Sequence, residues 1–197
     1  MIDYMKIGIC VEGQNDIEAI KTLLSKINST YNCLSEVNYE PRYHRGYPDL
    51  IGHLHQTLFE FNQLNIELIV VLIDNDREKK NERLKRLIEK CRKSKCNYDF
   101  IAPGVAIEAL EAWLLADESA LSKVAKKIIP CQPNPENIHK PDEVLKQITQ
   151  SSSIGIPYHE VLRGIVSELD LGIVLRRCKS FKNFHNFYSM RLKRFIS

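Results

Sequence analysis

Two kinds of apolar pattern alternate along the chain. Continuous β-branched runs fall at 6–11 (KIGICV) and 67–73 (ELIVVLI), and such short runs predict strands. The second has no polar break among its last six residues, as expected of a central parallel strand covered on both faces. Weaker strand signals lie at 36–42 and at 98–102, the latter interrupted by Pro103-Gly104. Elsewhere apolar residues recur at helical spacing. Ile17, Ile20, Leu23, Leu24 and Ile27 follow Asn15, with Glu18 as its capping-box partner. Leu50, Leu54, Leu58 and Phe61 follow Asp49, read as a cap. Leu84, Leu87 and Ile88 predict a helix that turns its Lys and Arg residues to solvent. Further helices are expected over 107–115 and 118–129.

Four prolines between Pro130 and Pro141 mark a turn or linker. Beyond it lie only helical patterns, at 142–150, 159–168, 170–178 and 181–195. The order predicts an α/β core over 1–129 with a mostly parallel sheet flanked by helices. A connection over 130–141 then leads to an all-α C-terminal extension over 142–197, packed on that core.

Composition narrows this little. The 197 residues are 44% hydrophobic and 27% charged, ordinary for one globular domain. No apolar run has the length of a membrane span and the N-terminus does not resemble a signal peptide, so a cytoplasmic protein is expected. The six cysteines include no CxxC pair, which argues for idle thiols over a cysteine zinc site. Charge is more informative. Ten Lys/Arg and three Glu lie between Arg77 and Lys95, and seven Lys/Arg with no acid between Arg176 and Ser197. Two basic segments on an otherwise acidic body suit a polyanion such as nucleic acid, with Arg77, Lys79, Lys80, Arg83 and Arg86 as candidate contacts. Two solvated helix faces would give the same counts.

The candidate chemistry sits at strand ends, where open parallel sheets bind ligands. The first strand runs into Glu12-Gly13 and the third into Asp74-Asn75-Asp76. If the two strands are neighbours, Glu12, Asp74 and Asp76 meet at one rim. Clustered carboxylates repel one another, and all-oxygen ligands suit Mg²⁺ or Mn²⁺. Gly13 fits a place where backbone approaches a phosphate closely. Capping of the next helix by Asp74 or Asp76 is the plainer alternative. Glu108 and Glu111, three apart, would share a helix face and could join the cluster; Trp113 reads as core. His53 and His55 are two apart on a helix and face apart, while Arg42, His44 and Arg45 sit in a loop that could grip a phosphate. No nucleotide-binding P-loop, dinucleotide or zinc-protease motif occurs.

The combination of Val11-Glu12-Gly13 with a later apolar strand and Asp74-Asn75-Asp76-Arg77-Glu78 resembles the Toprim domain of topoisomerases, primases and small nucleases. The segment from Ile107 to Asp117 (IEALEAWLLAD) and the tail LDLGIVLRRCKSFKNF (169–184) are similar to a small Toprim-like family of bacteria and archaea. Members are often associated with ATPase partners and with phage defence or mobile elements. The family pattern V-E-G-x-T/S-E departs here, with Asp16 as the second acid. The resemblance implies a Toprim-like, Rossmann-like fold and a Mg²⁺-dependent nuclease acting on DNA or RNA. Glu12 would handle protons or assist with metal; Asp74 and Asp76 would bind it, with Glu111 and Glu108 as added acids. A non-catalytic module working with an ATPase partner is the alternative. A D-x-D phosphatase fits less well, because Arg77-Glu78 follows the aspartates.

Overall fold

The structure is a computed structural model that describes residues 4–31, 36–76 and 82–196. Four parallel strands form the sheet: β1 (Met5–Val11), β2 (Val37–Tyr43), β3 (Leu68–Asp74) and β4 (Ile101–Ala106), in the order β2-β1-β3-β4. The inner pair β1 and β3 is almost wholly buried and the edge β2 is half-exposed, as their unequal hydrophobicity dictates. The expected α/β class with helices on both faces and a helical C-terminus is what the molecule shows.

Helix α1 (Asp16–Ser29) covers one face with α4 (Glu111–Leu114), α5 (Glu118–Ala125), α6 (Pro141–Thr149), α7 (Tyr158–Glu168), α8 (Leu171–Arg177) and α9 (Lys179–Ile196). Helices α2 (Tyr47–Gln63) and α3 (Glu82–Lys93) cover the other. One apolar cluster runs from Ile7, Val70 and Ala106 through Trp113 to Leu162, Phe181 and Tyr188. The C-terminal extension therefore supplies much of the cover of that face, packing α7 on α1 and α9 on β4.

Several local expectations are corrected. The strand predicted at 98–102 begins as a short 3₁₀ turn (Tyr98–Phe100), and β4 then runs through Pro103-Gly104. It can do so because β4 is an edge strand, where proline's missing N–H removes no ladder bond; Pro41 sits likewise in the other edge, β2. Gly104 is needed for packing, since a Cβ there would lie 2.6 Å from the Phe184 ring. The helix expected over 107–115 is only α4, because Glu108 has φ 61 and breaks the run before it starts. The helix over 118–129 stops at Ala125, with Lys126 left-handed. Asn15 makes no side-chain capping bond, and Glu18 instead pairs with Lys21 at 2.8 Å. Helix α2 starts at Tyr47 with Pro48 in its first turn, so Asp49 lies inside the helix and not at its cap.

Among the described residues no helix is long and apolar enough to cross a membrane. Cys10, Cys91 and Cys178 are buried, and burial pushes the Cys91 and Cys178 thiols up to about 12, so they are inert.

Candidate functional site

β1 leads by way of α1 to β2 on one side, while β3 flanks β1 on the other. The direction of connection therefore reverses between β1 and β3, and a crevice opens beyond their carboxyl ends. Val11 pairs with Leu72, which brings Glu12 beside the last residues of β3. The Glu12 carboxylate accepts the Asp74 backbone N–H at 2.8 Å. Its loop is also tied to the β2–α2 connection, where His44 N–H donates to Val11 O and Gly46 N–H to Glu12 O.

Two more acids join from helices. Asp16 opens α1 one turn after Glu12, folded back over Gly13, where an added Cβ would lie 2.9 Å from Oδ2 of Asp16. Glu111 opens α4, is 7% exposed, and accepts the Tyr158 hydroxyl of α7 at 2.9 Å. The acids feel one another. Burial raises the Asp74 carboxyl well above the usual carboxylate range, with Asp16, Glu12, Glu111 and Asp76 pushing the same way. Burial, then Glu111 and Glu12, holds Asp16 at about 7. Burial raises Glu111 as well, against the opposing Tyr158 hydrogen bond. Burial raises Glu12, partly offset by the Asp74 backbone N–H and by Arg83.

Asp76 stands at the outer edge of this cluster. Its side chain is 62% exposed, its backbone is left-handed (φ 39), and its carboxylate pairs with Arg83 at 3.0 Å. Arg83 departs from the outward position expected of it. It is buried, donates to the Asp74 carbonyl, and stacks over the Tyr47 ring at 4.2 Å. A cation at the first turn of α3 is thus drawn inward by the acids. Arg86 is exposed, whereas Arg77, Lys79, Lys80 and Glu78 lie outside the described residues.

Glu108 does not share a helix face with Glu111. It precedes α4 and lines a neighbouring cavity of about 650 Å³, its carboxylate 3.9 Å from the His139 ring. The cavity lies over the β4 edge between α3 and α9, and its wall includes Asn75, Asn183 and Phe187. Asn75 also belongs to the turn carrying Asp74 and Asp76, so cavity and crevice adjoin.

The sequence reading did not place Asp16, Tyr158 or Lys146 at the site. Asp16 carried a usable signal, an acid one helical turn beyond a strand-end glutamate. Tyr158, and Lys146 stacked on its ring at 4.9 Å, come from the extension and have no local signature. The hard oxygen donors present suit a divalent cation of the Mg²⁺ or Mn²⁺ kind. Among the described residues, no three of these carboxylates have ligand atoms all within 4.8 Å of one another, so an ion there would be held partly through its own waters.

An open parallel sheet with acids gathered at its β1/β3 switch point defines the class as α/β. The chain belongs to the family described as a domain of unknown function, DUF4276, whose model matches residues 11–187. That match takes in strands β2, β3 and β4, the crevice acids and most of the helical extension. No curated protein and no solved structure matches the chain.

Proposed function

We propose that this protein is a Toprim-type, metal-dependent phosphodiester hydrolase acting on nucleic acid. The observation that carries the reading is the convergence of Glu12, Asp16, Asp74 and Glu111 on the β1/β3 crevice. Among the described residues, the cations that act on these acids include Arg83, held against Asp76, and Lys146, acting on Glu111. Four raised carboxyls are a costly arrangement for a fold to keep, and functional sites are where such arrangements cluster.

Asp74 and Glu111 would hold Mg²⁺ or Mn²⁺, with Glu12, Asp16 and Asp76 adding negative charge around them. When bound, the ion would supply Lewis acidity at the scissile phosphate and lower the pKa of a coordinated water. Glu12, held by the Asp74 N–H, would take a proton from the attacking water. Tyr158 fixes the Glu111 carboxylate, and Arg83 holds the turn that carries both aspartates. The exposed Lys85 and Arg86 near the start of α3 and Lys182 near the start of α9 lie on the two helices that border the cavity. They would follow the phosphate backbone on either side of the cavity, which gives salt-dependent affinity. The Toprim resemblance extends the proposal to a cytoplasmic nuclease working beside an ATPase partner in phage defence or mobile-element biology.

The test is cleavage of single- and double-stranded DNA and RNA by purified protein in Mg²⁺, Mn²⁺ or EDTA. Cleavage is expected with either metal and not with EDTA, and is lost in Asp74→Asn and Glu12→Gln. Cleavage indifferent to EDTA, or retained in Asp74→Asn, would contradict the reading. Metal-dependent stabilisation without cleavage would turn it toward a module that acts only with its partner.

A further inference from the structure

The same rim of the sheet carries a second constellation, beyond β2. His44 follows β2 directly, and Asp49 and His53 stand one turn apart on α2. The spacing of four puts Asp49 and His53 on one helix face, and the return of the chain from β2 sets His44 against them. The two imidazole rings stack, 6.2 Å between centroids and 12° apart in plane. Both direct Nδ1 at the same carboxylate, His53 at 2.9 Å from Oδ1 and His44 at 3.6 Å from Oδ2, and the His53 Nδ1 also lies 3.0 Å from the Asp49 carbonyl oxygen. The three ligand atoms lie within 4.8 Å of one another, and among the described residues this is the one such trio.

We propose that His44, Asp49 and His53 form a metal site of their own, for a d-block divalent ion of the Zn²⁺ class. The donor set separates it from the acidic crevice. Two imidazoles with one carboxylate suit Zn²⁺, Co²⁺ or Ni²⁺, and do not suit Mg²⁺. Bonds of about 2.05 Å in a tetrahedron place neighbouring ligand atoms about 3.3 Å apart, and here the Nδ1 atoms lie 2.9 Å from Oδ1 and 3.6 Å from Oδ2 of the one carboxylate. The surroundings are those of a held ligand set. The buried Thr57 hydroxyl lies 3.3 Å from His44 Nε2, so Nε2–H can donate to it and leave the Nδ1 lone pair for the metal. A partner of this kind behind an imidazole fixes its tautomer and orientation. Asp49 is positioned in turn by the Arg45 backbone N–H, 2.9 Å from Oδ2. Three protein ligands leave a fourth position for water or an anion, and the 59% exposure of the His53 side chain leaves that side open. A surface ion pair accounts for His53 with Asp49, but not for a second, largely buried imidazole aimed at the same carboxylate.

The experiment is Co²⁺ titration of tag-free protein followed by its visible d–d absorption, with Zn²⁺ as competitor. Wild type, Asp74→Asn, His53→Ala, Asp49→Asn and Thr57→Val are compared. One equivalent of Co²⁺ is expected to give ligand-field bands in wild type and equally in Asp74→Asn, displaced by Zn²⁺ and not by Mg²⁺. Affinity should fall at least tenfold in His53→Ala and Asp49→Asn, and about tenfold in Thr57→Val. Absence of bands in wild type, or unchanged affinity in His53→Ala, would overturn the site. Bands lost in Asp74→Asn but kept in His53→Ala would overturn it too, by assigning the ion to the crevice. The exposed His53 can be replaced without loss of core packing, and its readout is independent of any nuclease activity.

Discussion

Acidic side chains behave in opposite ways at two places in the molecule. Along the seam between α4–α5 and the C-terminal helices, each is matched to donors. Asp117 accepts the N–H groups of Ser119 and Ala120 at the start of α5, and that of Asp170 across the seam. Asp170 caps α8 in the same manner, Glu136 accepts the Lys179 and Ser180 N–H groups that open α9, and the Arg177 guanidinium holds Glu118 below the usual range. At the crevice, Glu12, Asp16, Asp74 and Glu111 are raised by burial, and Asp74 and Asp16 also by neighbouring acids. The seam acids hold the fold together, and the crevice acids strain it. The conspicuous IEALEAWLLAD segment contains both kinds, Glu111 facing the crevice and Asp117 the seam.

This contrast can be broken one residue at a time. The largest expected effect is in activity, where Asp74→Asn should lower metal-dependent cleavage by at least roughly a hundredfold while raising the melting temperature in EDTA. Next comes Asp117→Ala, which leaves the N–H groups of Ser119, Ala120 and Asp170 without their acceptor, that of Ala120 buried. It should cost about 3 kcal/mol in denaturant unfolding and leave the metal response of the folded protein intact.

Smaller still is a pH effect. Asp16 is held at about 7 in the folded protein against an ordinary aspartate value of 3.8. Between those values the folded state binds the proton more tightly than the unfolded chain, so stability is greatest at the acidic end and falls as pH rises through about 7. In EDTA, the melting temperature of wild type should decline over this window, with a shallower decline in Asp16→Asn. An equal slope in the two proteins would remove Asp16 from the strained set. The smallest effect belongs to Ser180→Ala at the seam. The Ser180 hydroxyl accepts the Trp113 indole N–H at 2.7 Å and donates to Glu136, and its loss should cost about 1–2 kcal/mol in the same unfolding assay.

What the sequence made legible, and what it hid, follows the same division. β1 and β3 were readable because their apolar runs are continuous and end abruptly in acids, and Glu12 and Asp74 followed from that alone. The α/β class and the helical extension were readable from the order of periods. Glu108 was misjudged because helical spacing says nothing of a left-handed residue at 108 that delays α4 to Glu111. β4 was cut short because Pro103-Gly104 reads as a break until the strand is known to be an edge with Phe184 packed against Gly104. Arg83 looked like one more solvent-facing cation, and only the tertiary approach of Asp76 and Tyr47 turns it inward. His44 with His53 was overlooked because His53 was weighed against His55, two residues on, and the true neighbour arrives from the end of β2.

The central claim is that the crevice acids exist to hold a divalent cation. Thermal unfolding with increasing Mg²⁺ at pH 8 and at pH 5.5, for wild type beside Asp74→Asn, tests it most directly. The account predicts that Mg²⁺ raises the wild-type melting temperature, more at pH 8, where more of the crevice carboxyls are ionised. It predicts that Asp74→Asn starts higher and responds little. A wild type indifferent to Mg²⁺ at both pH values, or an Asp74→Asn protein that responds as fully as wild type, would contradict it.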